Sequence, residues 1–183
     1  MIKKTKLINL ISWPWVWKSV LASLLFVEMK IRWYNVELVS EYAKQLIWTK
    51  DFETLNNQYY VSQQQYKLFK SISWNVDYII TDWSLYHWLY YNKINKDNIS
   101  NIEKTEKRIL EYINEFDNIN IFLERNKIIP YEQEWRLQNL NEAINADNAI
   151  MKILDDNNVI YAKILSDIKS IYDILNYVLD KNK

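Results

Sequence analysis

The stretch Ser12-Trp13-Pro14-Trp15-Val16-Trp17-Lys18-Ser19 constrains this chain more than any other. It follows a short apolar run, Leu7-Ile8-Asn9-Leu10-Ile11, and leads into Val20 to Met29, where apolar residues recur at helical spacing. A strand, a tight loop ending in Lys-Ser and a helix are the setting of a phosphate-binding loop. Such a loop turns successive backbone N–H groups onto an anion and adds the positive end of the following helix. It needs glycine, both for its dihedrals and for room around the phosphates. With glycine in place of tryptophan the stretch reads S-G-P-G-V-G-K-S. As written, it holds three of the largest side chains where the loop needs none.

The same conflict recurs along the chain. Glycine averages about 7% of residues in proteins, yet none occurs here in 183 residues, and there are nine tryptophans. Trp33 follows a helix-like run and precedes a strand, the place of a left-handed residue that is usually glycine. Trp74 occupies a turn before a strand, Trp83 directly follows a strand-ending acid, Trp88 follows His87, and Trp135 lies in a polar loop. Trp48, within Leu46-Ile47-Trp48, reads as an ordinary apolar position. Eight of the nine, at positions 13, 15, 17, 33, 74, 83, 88 and 135, therefore read as standing for glycine. A stop codon is read as tryptophan in some genetic systems and as glycine in others, and the wrong table would give this pattern. Deliberate substitution would give it too, and the plain alternative is that the tryptophans are real.

Strand-like and helix-like segments alternate. Strands are expected at 6–12, 34–39, 76–82, 120–123 and 159–162. Helices are expected at 18–32, from 41 onward, at 57–72, 84–92, 100–117, 138–156 and 166–180, with an irregular polar stretch at 50–57. That alternation implies an α/β fold of three layers, a parallel five-stranded sheet with helices on both faces. Right-handed crossovers then gather the carboxyl ends of all strands on one edge, where open α/β sheets bind ligands. The 12–19 loop, Glu41, Asp82 and Arg125 all fall at that edge.

Composition excludes several classes. The formal net charge is zero, which gives no polyanion-binding surface and no sign of nucleic acid. Cysteine is absent, which excludes thiolate metal sites, and a sole histidine, His87, argues against a histidine-based metal cluster. No run reaches the roughly 18 apolar residues of a membrane span, and the Lys-rich start reads as the approach to a first strand, so the expected compartment is the cytoplasm. Residues 1–183 read as one domain.

The loop gives each of its residues a task. Ser12, Trp13, Pro14, Trp15, Val16, Trp17, Lys18 and Ser19 would form the nucleotide cradle, with Lys18 reaching the β- and γ-phosphates of ATP and Ser19 holding Mg²⁺. Asp82 ends an apolar strand, as a Mg²⁺- or water-coordinating acid would, and an acid there is costly without a partner. His87, alone among tyrosines, reads as structural. Tyr86 to Tyr91 reads as core with a pocket wall as the lesser reading, and Gln58 with the glutamines at 63–65 reads as a solvated face or, less simply, as a reader of a nucleobase.

The chain resembles the P-loop NTPases of the nucleoside/nucleotide kinase-like group. More narrowly it is similar to phage- and bacteria-encoded AAA-type ATPase/kinase domains related to the nicotinamide riboside kinase part of NadR-like proteins. The resemblance runs from about residue 6 to residue 160. It rests on Leu7 to Ile11 with the 12–19 loop, Tyr34-Asn35-Val36-Glu37-Leu38-Val39-Ser40-Glu41-Tyr42-Ala43-Lys44, Val76-Asp77-Tyr78-Ile79-Ile80-Thr81-Asp82, and Pro130-Tyr131 with Trp135-Arg136. It implies ATP and Mg²⁺ as cofactors and phosphoryl transfer to a small nucleoside, nucleotide or related metabolite. It implies Glu41 as the acid beside the acceptor hydroxyl, whose plain alternative is an exposed acid in a helix's first turn. It implies a lid-like loop at 124–137 whose Arg125 and Arg136 contact phosphates, with Lys127 a weaker candidate. An ATPase without a small acceptor, or a catalytically silent binding module if the tryptophans are real, stand beside the kinase reading.

Overall fold

The structure, a computed structural model, describes residues 4–13, 16–126 and 140–181. Five strands form one sheet: β1 (Lys6–Ile11), β2 (Val36–Val39), β3 (Tyr78–Thr81), β4 (Asp117–Glu124) and β5 (Tyr161–Leu165). The helices are α1 (Lys18–Ile31), α2 (Tyr42–Thr49), α3 (Phe52–Asn56), α4 (Gln58–Ile72), α5 (Leu85–Ile94), α6 (Ile102–Asn114), α7 (Leu140–Asp156) and α8 (Ile171–Asp180), with a 3₁₀ turn at Ile168–Ser170 before the last. Strand order is β2-β3-β1-β4-β5, and every pairing is parallel.

A parallel strand covered on both faces must be apolar on both, and β1 shows how the alternation is used. Ile8 and Leu10 face one layer with Ile80, Ile119, Ile121 and Leu123, packed by Leu21, Leu25 and Met29 of α1 and by Ile171, Ile174, Leu175 and Val178 of α8. Leu7 and Ile11 face the other with Ile79 and Phe122, against residues of α2, α4, α5, α6 and α7. Each buried Leu or Ile contributes about 1.5–3 kcal/mol, so this double cover is the main force holding the sheet.

Three elements differ from the sequence expectation. The stretch at 50–57, expected to be irregular, contains the one-and-a-half-turn α3, capped by Asp51, which accepts from the Thr54 N–H at 3.1 Å. The helix expected to reach 117 ends at Asn114, and β4 starts at Asp117 because it pairs along the whole of β1, from Lys6↔Asp117 to Ile11↔Phe122. Strand β5 lies two residues later than expected, since its register against β4 runs from Asn120↔Tyr161 to Glu124↔Leu165. Pairing partners, which a local pattern does not contain, set both boundaries.

The topology marks one place for a ligand. From β1 the chain crosses to β2 and β3 on one side, then passes over to β4 and β5 on the other. The reversal opens a crevice at the carboxyl end of β1, where Ser12 stands.

Candidate functional site

Ser12 follows β1 and is fully buried. Its carbonyl accepts a hydrogen bond from Lys18 Nζ at 2.6 Å and lies 2.9 Å from His87 Nε2. Lys18 opens α1, is nearly buried, and lies 5.6 Å over the Trp83 ring. Burial lowers its pKa to about 8, with Glu41, Asp82 and Asp147 holding it up in part. His87 is wholly buried, and burial plus the Lys18 charge push its pKa to about 3. Each ring nitrogen faces a backbone carbonyl, Nε2 that of Ser12 at 2.9 Å and Nδ1 that of Ser84 at 3.2 Å, so a neutral ring donates to one of the two. This places His87 in a structural role.

Trp17 is the N-cap of α1 in a left-handed conformation, φ 48° and ψ 27°, and its carbonyl accepts from the Leu21 N–H at 2.8 Å. Val16 is buried, and its carbonyl accepts from Ser166 Oγ at 2.6 Å, tying the loop to the chain just past β5. Trp13 is buried among Tyr90 and Tyr91, at ring-centroid distances of 5.0 and 5.2 Å. Pro14 and Trp15 lie outside the described residues.

Ser19 and Asp82 meet. The Ser19 hydroxyl donates to Asp82 Oδ2, joining the first turn of α1 to the residue after β3. Two hard oxygen donors side by side suit Mg²⁺, which keeps waters and phosphate oxygens in the rest of its shell. Among the described residues no set of three or more His, Cys, Asp or Glu converges on a metal position. The pair therefore fits a cation held jointly with a phosphate ligand and not an all-protein cage.

Glu41 is the N-cap of α2, yet its side chain makes no capping bond. It is partly exposed and lies in the field of Lys18, Asp82 and Lys44. Burial, opposed by Lys18 and reinforced by Asp82, raises its pKa to about 7. Its backbone is bracketed by Gln65 of α4, whose Oε1 accepts from the Tyr42 N–H at 2.8 Å and whose Nε2 donates to the Ser40 carbonyl at 3.3 Å. Gln65 and Gln58 are both buried, so the solvated face expected for Gln58 and the glutamines at 63–65 does not hold at 58 or 65.

Two cavities meet at Glu41. One, of about 540 Å³, lies between α1 and α2 and includes Ser19, Ser23, Lys44, Trp48 and Asp82. The other, of about 290 Å³, is lined by Asn56, Gln58, Trp83, Trp88, Tyr91 and Asn95 among others. Trp83 stacks on His87 and Tyr91, with Trp88 edge-on to it at 5.9 Å. The aromatic run is both core and pocket wall.

Arg125 follows β4 at the same edge, and its Nε donates to Asp147 Oδ2 at 2.5 Å. Arg136, Lys127 and the lid-like loop beyond Asn126 lie outside the described residues. Asp147 had no place in the sequence reading, although a signal existed. Ala143, Asp147, Ile150 and Leu154 fall on one stripe of α7, and all are buried. An acid on an apolar stripe is costly unless paired. Trp48, expected to be an ordinary apolar position, is instead 77% exposed on α2.

No protein-family model and no curated protein matches the chain. Among solved structures it is similar to the thymidylate kinase of Candida albicans, with 16% identity over 98% of this chain and 92% of that one and a TM-score of 0.56. The crystal structure of APE1195 shares 15% identity over 99% and 97% of the two chains at a TM-score of 0.46, which carries no argument. The likeness to thymidylate kinase establishes the fold alone, an α/β architecture with a five-stranded parallel sheet between helical layers. No helix among the described residues is long and apolar enough to cross a membrane.

Proposed function

We propose that this chain is an ATP-dependent phosphotransferase acting on a small acceptor of the nucleoside, nucleotide or related metabolite class. The observation that carries the reading is the meeting of Lys18, Ser19, Asp82 and Glu41 at the switch point of the sheet, with Glu41 between two cavities. Phosphoryl transfer asks chiefly for positioning and charge neutralisation. Lys18 supplies a cation for the β- and γ-phosphates, and Ser19 with Asp82 would hold Mg²⁺. That ion, when bound, neutralises phosphate charge and fixes the phosphates' orientation. Glu41, with a pKa near neutrality, takes the proton of the acceptor hydroxyl. The aromatic and amide lining of the smaller cavity suits a flat ring with hydrogen-bonding edges. A nicotinamide-type nucleoside belongs in the panel of acceptors. We take the chain as one cytoplasmic domain with 124–137 as its lid, where Arg125 and Arg136 would meet the phosphates.

The test is ATP binding and ADP release by the chain with glycine at positions 13, 15, 17, 33, 74, 83, 88 and 135, with and without a panel of nucleosides and nucleotides. Acceptor-stimulated turnover supports the kinase, and acceptor-independent turnover makes it an ATPase. Lys18→Ala is expected to abolish either activity; unchanged turnover would refute the loop assignment.

We propose further that positions 13, 15, 17, 33, 74, 83, 88 and 135 are glycine in the working protein. Among the described residues, five non-glycine residues have positive φ, and three of these are Trp17, Trp33 and Trp74. Trp13, Trp83 and Trp88 instead crowd the site itself. Intact mass of natively expressed protein decides; a mass carrying nine tryptophans overturns the proposal. One observation favours a silent module for the chain with tryptophan. Lys18 then spends its ammonium on the Ser12 carbonyl and the face of the Trp83 ring, and not on a ligand.

A further inference from the structure

Asp147 sits in the middle of α7, far from the loop in sequence but against it in space. Its two carboxylate oxygens do different work. Oδ1 accepts from the backbone N–H of Trp13 at 2.7 Å, across 134 positions of sequence. Oδ2 accepts from Arg125 Nε at 2.5 Å. The pair is sheltered, with the Arg125 side chain 16% and the Asp147 side chain 9% exposed. Charge-assisted bonds from an ionised carboxylate are stronger than neutral ones, and shelter from water strengthens them further. The bond to residue 13 is to the main chain, so it does not depend on whether tryptophan or glycine stands there.

We propose that Asp147 is a positioning residue that clamps the exit of β1 into the phosphate loop and aims the Arg125 guanidinium along the same edge. The proposal rests on the phosphotransferase reading given above. One carboxylate thereby couples three elements: the loop entry, the end of β4 and α7. Lys18 also lies within its electrostatic reach, so the carboxylate sees two cations and one N–H donor. Loss of the clamp would remove the bond that ties the residue 13 N–H to α7 and the bond that holds Arg125 Nε.

Two variants separate the two jobs. Asp147→Asn keeps an oxygen for the residue 13 N–H but turns an amide toward Arg125. Asp147→Ala removes both bonds. For a positioning role, Asp147→Asn is expected to lower kcat by about tenfold while leaving the KM for ATP within about twofold, whereas Asp147→Ala raises that KM by about tenfold as well. The Asp147→Asn and Arg125→Ala effects on kcat should not add, since both act through one pair. A second arm needs no activity: amide hydrogen exchange in the chain as sequenced. Asp147→Ala should speed exchange at residue 13 by about tenfold or more, and Asp147→Asn should not, with the Leu10 amide of β1 unchanged in both as the mark of an intact fold. Residue 13 exchange unchanged in Asp147→Ala, or additive effects with Arg125→Ala, overturns the clamp. A chain with glycine at positions 13, 15, 17, 33, 74, 83, 88 and 135 that neither binds nor turns over ATP sinks the phosphotransferase reading instead, and the exchange arm then decides the clamp alone.

Discussion

Trp33 stands at φ 63° just beyond α1, where its N–H donates to the Lys30 carbonyl at 3.0 Å and the Tyr34 N–H donates to the Met29 carbonyl at 3.1 Å. These are the paired bonds of a Schellman end, whose left-handed residue is usually glycine. A side chain with a Cβ costs about 1–2 kcal/mol in that conformation, and the indole, 94% exposed, regains little of it by packing. Trp33→Gly is therefore expected to stabilise the fold by about 1 kcal/mol, read as a higher urea midpoint at an unchanged slope; a lower midpoint would contradict the argument. Glu41 gives a second test at this scale. Its folded pKa, about 7, lies above the ordinary 4.5, so the folded chain binds the proton more tightly than the unfolded one. Stability then falls as pH rises from about 4.5 to about 7 and stays reduced above that interval. Glu41→Gln should raise Tm above pH 7 relative to the parent, with the gain shrinking as the pH is lowered toward 4.5. An equal gain at both ends of that range would show that the carboxylate is not strained by burial.

At the scale of elements, the site is held by side chains that reach between them. Gln65 ties α4 to the turn joining β2 and α2, and it brackets Glu41 by bonds to the residues on either side. Gln65→Leu keeps much of the volume but leaves the Ser40 carbonyl and Tyr42 N–H without that partner. It is expected to cost about 1–3 kcal/mol and to lower turnover more than ATP affinity, because Glu41 and not the phosphate loop loses its support. Denaturant titration and steady-state kinetics check the two halves. A polar ladder plays a similar part inside the sheet, where Asn9 Nδ2 donates to Asn118 Oδ1 at 3.0 Å and to Asn120 Oδ1 at 2.9 Å. It joins β1 to β4. The apolar runs made these strands legible, but the start of β4 and the offset of β5 were set by pairing, and α3 by a cap within a stretch that has no apolar period.

The whole molecule makes the site by its topology. Parallel order with a reversal at β1 brings residues 19, 41, 82 and 125 together at one edge, although they are spread over more than half the chain. That convergence makes two titrations matter together. Catalysis by the proposed route needs Glu41 ionised and Lys18 protonated. With tryptophan at position 83, burial raises Glu41 to about 7 and lowers Lys18 to about 8. The plot of kcat/KM against pH is expected to be a narrow bell, rising through the first value and falling through the second. A profile flat across that interval would remove Glu41 from the role of base.

Local pattern alone determined the alternation of strands and helices, the loop at the end of β1 with its Lys-Ser pair, the acid after β3, and the turn positions at which tryptophan stands. Those features depend on near neighbours, through the periods of apolar burial and the sterics of one residue's φ, so they can be read in order along the chain. Only the tertiary structure decided that Asp147 and Gln65 belong to the site, that Lys18 and His87 share the Ser12 carbonyl, and that Trp13, Trp83 and Trp88 fill one space beside Glu41. A buried carboxylate or amide is stable only beside the partner that compensates its lost water. Here the partners lie far off in sequence, where the folding of the sheet alone brings them within reach.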